Sequence, residues 1–134
     1  MRHDTAAILE KIFTELAARS DAEGYTYATG DDLDSWASDL GIPWLTALDV
    51  IGAELACRYH RHEVSYEFGD SLANDLESAL IFRHEQVPDG AWPKLWAEVY
   101  EAFDAGEWQP KDDSECPVKK FTDPSIAEIV AKLA

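Results

Sequence analysis

The chain has 134 residues, 46% of them hydrophobic, and its 27 acidic against 11 basic side chains give a formal charge of −16. That length supports one hydrophobic core without a disulfide or metal staple, so a single globular domain over residues 1–134 is expected. A field of this sign repels phosphate backbones and anionic membranes and speeds encounter with basic proteins, which argues against nucleic-acid and membrane partners.

In chain order, Asp4 is placed to cap a first helix running to Arg19, with Ile8, Leu9, Ile12, Phe13 and Leu16 as its buried stripe. Ser20 to Gly30 lacks helical period; Tyr25-Thr26-Tyr27 alternates as a brief extended segment would. A second helix is expected from Asp31 or Asp32 to Gly41, burying Leu33, Trp36, Ala37 and Leu40. Pro43 pre-sets the first turn of a third, lined by Leu45, Leu48, Ile51, Leu55 and Tyr59; Gly52 inside it implies close packing against a neighbour. Phe68, Leu72, Leu76, Ala79 and Leu80 mark a fourth helix to about Phe82, with a strand over Glu63 to Phe68 as the competing reading.

Gln86 to Ala91 reads as a loop. Trp92, Leu95, Trp96, Val99, Tyr100 and Phe103 then recur at helical spacing and occupy an arc of roughly 140°, so a fifth helix carries the largest aromatic face in the chain. Its centre is expected to pack on the first, fourth and last helices, leaving Trp92, Tyr100 and Trp108 to line a groove. Residues 107–121 form a long polar segment without period. Asp123-Pro124 looks like a cap and first-turn proline for a closing helix with Ile126, Ile129, Val130 and Leu133 on one face. The expected fold is all-α, or mainly α with at most one small β-hairpin: a bundle of five to six short helices.

Four constellations bear on chemistry. Trp36 to Ile42, followed by Ala47 and Val50, has spacing that resembles a helix-turn-helix, but the face it would offer carries Trp44, Thr46, Asp49 and Glu54 and no Lys or Arg before Arg58. A recognition helix needs basic or amide side chains, so DNA is disfavoured. Cys57, His60, His62 and Glu63 supply zinc-ligand chemistry without a zinc-site spacing, and they define a runner-up reading as a small metal-binding protein or enzyme. Cys57 or Cys116 with a histidine base would make a thiol nucleophile, but no oxyanion hole or orienting partner is evident. Asp31, Asp32 and Asp34 miss the calcium-loop pattern, and helix capping accounts for them. No phosphate-cradling or dinucleotide motif occurs, and no cofactor is expected.

Between Arg19 and Arg58 there is no Lys or Arg, while acids accumulate. The expected role is a non-enzymatic protein-binding module of the inhibitor, immunity or chaperone type. In it Asp31, Asp32, Asp34, Asp39 and Asp49 steer a basic partner, and Trp44, Trp92, Tyr100 and Trp108 anchor it. A homo-oligomeric structural protein, burying aromatic faces on its own copy, is a third reading. No apolar run approaches the roughly 18 residues of a membrane span. Two cysteines make a poor secreted framework, so free thiols in the cytoplasm are expected.

Overall fold

The computed structural model describes residues 4–108 and 116–134, and within them the chain forms six α-helices and no strand. The reasons for each helix are local. α1 (Thr5–Arg19) starts where Asp4 Oδ1 accepts the Ala7 amide at 3.1 Å, and it buries Leu9, Ile12, Phe13 and Leu16. α2 (Gly30–Leu40) starts one residue before the expected acids. Its cap is Thr29, whose side chain accepts the Asp32 amide while Asp32 reaches back to the Thr29 amide, a reciprocal capping box. It ends on Gly41 at φ +70°, the left-handed stop expected there.

α3 (Trp44–His60) follows Pro43 and leaves α2 at 90°, an angle found in helix-turn-helix pairs. α4 (Tyr66–Phe82) is capped by Ser65, whose hydroxyl accepts the Phe68 amide, so the competing strand over Glu63 to Phe68 gives way to a turn and a helix start. α5 (Lys94–Ala105) follows Pro93. α6 (Asp123–Leu133) closes the fold. Here the expected cap is corrected: the backbone is already helical through a π-type turn over Val118–Thr122, so Asp123 lies inside continuous helix. Its carboxylate instead accepts the Tyr59 hydroxyl at 2.6 Å. Of the long polar segment expected over 107–121, residues 109–115 lie outside the described residues.

The Tyr25–Tyr27 stretch is extended but pairs with no strand among the described residues. The Thr26 amide donates to Ser71 Oγ and the Ala28 amide to Asp75 Oδ2, two side chains one turn apart on α4. Ser71 and Asp75 thus supply the acceptors that a neighbouring strand would have offered. Thr26 Oγ1 adds a buried bond to the Leu16 carbonyl.

α5 packs chiefly on α3 and α4, with α6 and the Val118–Thr122 turn behind it, so the third helix replaces the first among its expected neighbours. Two glycines explain the arrangement. A Cβ at Gly52 in α3 would stand 3.1 Å from Trp96 Cε3, and one at Gly69 in α4 would overlap the Phe103 ring. Each glycine is a notch that receives one of the two fully buried aromatics of α5. The Trp96 amide, free at the start of α5, donates to Asp49 Oδ1, and its indole N–H donates to Glu77 Oε1. At the other end the Tyr66 hydroxyl donates to the Phe103 carbonyl.

These notches make different demands. Gly69→Ala drives a methyl group into a ring with nowhere to go and is expected to destabilise by about 2–3 kcal/mol. Gly52→Ala meets a milder contact and gains about 1 kcal/mol of helix propensity, so its net effect is expected to be near zero. Urea unfolding midpoints of the two variants check the contrast.

Candidate functional site

Three arginines decide which acids are free. Arg19 Nη1 and Nη2 donate to both oxygens of Asp32 at 2.7 and 3.0 Å, and this bond holds the Asp32 carboxyl below the usual carboxylate range. Arg58 joins Glu54 and Glu10, each at 2.7 Å, and lies over the Phe13 ring. Arg83 binds both oxygens of Asp34 at 2.8 and 3.0 Å, reaches the Gly30 carbonyl, and lies over the Trp44 ring. Asp32 and Asp34 therefore hold helices together, as Asp49 does through the Trp96 amide. Asp31 and Asp39 stay exposed at the surface of α2.

The aromatics expected to act together are separated. Trp92 is 38% exposed and edges a depression with Leu45, Thr46 and Asp49. Trp108 is 64% exposed beyond the other end of α5, a helix roughly 18 Å long. Tyr100 is half-buried between them, and Trp44 is half-buried under Arg83. One groove does not take all four.

The most exposed large apolar side chain is one the pattern did not single out. Phe82, at the last position of α4, is 91% exposed, and Ile81 beside it is 51% exposed. Phe82 edges a groove of about 430 Å³ whose other walls include Thr29, Gly30, Asp31, Asp75 and Ser78. Arg83 forms part of the floor with its charge committed to Asp34, so the unpaired charge around Phe82 is negative. Phe82 thus stands between the start of α2 and the end of α4 with two carboxylates, Asp31 and Asp75, on the same groove.

The runner-up cluster is partly assembled. His60, His62 and Glu63 line a second groove, of about 610 Å³, together with Tyr59, Tyr66, Asp123 and Ile126; Cys57 is not among its lining residues. The turn there closes α3: the Glu63 amide donates to the Arg58 carbonyl and the His62 amide to the Tyr59 carbonyl, with His62 left-handed at φ +61°. Glu63 is tied to Arg61. Burial and the Asp123 carboxylate push the Tyr59 phenol well above its ordinary pKa. Among the described residues no three His, Cys, Asp or Glu side chains converge in a way that would hold a metal ion. Nor is any single helix among them long and apolar enough to cross a membrane. No protein-family model matches the chain, and comparison with curated proteins and with solved structures finds no match.

If Phe82 belongs to the surface and Arg83 to the framework, their truncations separate. Phe82→Ala is expected to change unfolding free energy by less than about 0.5 kcal/mol, and Arg83→Ala to cost about 1–2 kcal/mol. Thermal and urea unfolding of both variants provide the check.

Proposed function

We propose that this protein is a non-enzymatic, acidic binding module that engages a basic protein through the Phe82 face, in the manner of an inhibitor, an immunity protein or a chaperone. The observation that carries this reading is a phenylalanine 91% exposed on a rigid helix end, in a groove walled by Asp31 and Asp75. A solvated Phe of this kind gains nothing in the isolated chain, and its burial in a partner contributes about 1.5–3 kcal/mol. The charge of −16 supplies long-range attraction and the neighbouring carboxylates supply local complementarity. Asp39 extends the acidic surface, and Ile81 widens the apolar contact. Cys57 and Cys116 are both free thiols, which suits a reducing cytoplasm.

The test is affinity capture from the native cell extract with immobilised wild type, Phe82→Ala and the double variant Asp31→Asn, Asp75→Asn, each at low and high salt. The amide that replaces the Asp75 carboxylate keeps an oxygen for the Ala28 amide, so the double variant removes charge without removing that bond. The proposal expects proteins of basic isoelectric point to be retained by wild type at low salt, at least tenfold less by Phe82→Ala, and to elute as salt rises. Equal retention by all three forms, or no basic protein retained, overturns it. Light scattering of the purified protein covers the homo-oligomer reading: a salt-resistant dimer lost in Phe82→Ala would assign this face to a second copy.

A further inference from the structure

Next to the groove that Tyr66 lines, the end of α5 brings a carboxyl group up to one on α4. Asp70, in the second turn of α4, is 9% exposed, and its Oδ1 is fully buried without a hydrogen-bond partner among the described residues. Two side chains come within hydrogen-bonding reach of the Asp70 carboxyl: Glu107, just past the end of α5, and Tyr66. Glu107 is held there: its Oε2 accepts from Asn74 Nδ2 at 3.1 Å, one turn beyond Asp70 on the same face of α4. One turn before Asp70, the Tyr66 hydroxyl donates to the Phe103 carbonyl. Residues 66, 70 and 74 of α4 thus form a single ridge against residues 103–107.

The backbone next to Glu107 is closely packed. A Cβ at Gly106 would overlap Thr122 Oγ1 and stand 2.8 Å from the Tyr66 ring, so the chain at Gly106 is enclosed. Thr122 itself donates to the Ala102 carbonyl at 2.7 Å. Among the described residues, the titratable groups that face Asp70 are Tyr66 on its own helix and Asp104 and Glu107 from the end of α5; Tyr100 on α5 and Tyr59 on α3 lie just beyond. None of these is a cation. Two ionised carboxylates in this setting would repel, and the one donor nearby among the described residues, the Tyr66 hydroxyl, is already engaged by the Phe103 carbonyl. One proton resolves both problems, because it makes Asp70 a donor to Glu107. Burial puts it on Asp70, and exposure to water lets Glu107 keep its charge.

We infer that Asp70 and Glu107 share a single proton and act as a pH-set clasp that holds the end of α5 against α4. This goes beyond the partner-binding reading and does not depend on it. Burial first, and Glu107 second, push the Asp70 carboxyl up to about 7, against an ordinary value near 3.8. The folded chain therefore binds this proton more tightly than the unfolded chain does. The clasp contributes fully below about pH 4 and is lost as pH rises towards about 7. Opening frees Glu107 from the α4 ridge.

The experiment is a carboxyl-carbon NMR titration of the whole protein, with thermal unfolding at pH 5 and pH 8, on wild type, Asp70→Asn and Glu107→Gln. The expected result is an Asp70 inflection near neutrality, followed at the same midpoint by the amide signals of Glu107 and Trp108, and an inflection moved to lower pH in Glu107→Gln. The Asp70→Asn side chain is a donor at every pH, so the Tm of that variant minus that of wild type should grow by several degrees between pH 5 and pH 8. The comparison with Asp70→Asn removes the general repulsion that an acidic chain suffers at high pH. An Asp70 inflection in the ordinary carboxylate range, or a Tm difference that does not change with pH, overturns the inference. If Asp70→Asn fails to fold, the wild-type and Glu107→Gln titrations alone decide it.

Discussion

The fit of Trp96 and Phe103 into the glycine notches of α3 and α4 is the contact on which the rest of the molecule depends. Both side chains are fully buried, and each needs its neighbouring helix to carry no Cβ at one position. The two aromatics stand about two helical turns apart, so seating both fixes the rotation and the register of α5. Everything at its ends follows from that register. Asp49 meets the Trp96 amide in the first turn, Glu77 meets the indole, and Tyr66 meets a carbonyl of the last turn. Glu107, next to the enclosed Gly106, then comes within reach of Asn74 and Asp70 on α4.

A second constraint is the scarcity of cations. With 11 basic residues against 27 acidic ones, carboxylates far outnumber the charges that could pair with them, and arginines are placed where they join elements far apart in sequence. Arg19 ties α1 to α2, Arg58 ties α3 to α1, and Arg83 ties the end of α4 to the start of α2. Each also lies over an aromatic ring, so it adds packing as well as charge. The charge of the acids so engaged is offset by their arginines. Among the described residues Asp31 and Asp75 have no arginine partner and stand beside Phe82, so the face proposed here is the groove between α2 and α4 rather than the acids and aromatics spread over α2, α3 and α5.

Much of the fold is legible in the periodicity. The helices and the stop at Gly41 follow from apolar spacing, turn residues and proline positions, and Gly52 signals the close approach that it makes with Trp96. The exposure of Phe82 has no periodic signal: at about 100° per residue it falls roughly 40° from Phe68, at the edge of the buried stripe, and it is left uncovered at the last position of α4. Other features have none either. That Asp32 and Asp34 answer Arg19 and Arg83 rather than solvent depends on tertiary contacts, and so does the meeting of Asp70 with Glu107, which lie on different elements far apart in the chain. Asp123 departs from its expected role because Ser, Thr, Asp and Asn serve equally as caps and as ordinary first-turn residues, and only the backbone before it decides which.

The central functional claim is that Phe82 is a contact residue. The most direct measurement places photoreactive benzoylphenylalanine at position 82 in the native cell, with position 128 on the far helix as an exposed control. Illumination and mass spectrometry then identify what is bonded to each site. The proposed role predicts one basic protein joined at position 82 and absent at position 128. Products common to both positions, or a second copy of this chain joined at position 82, would contradict it.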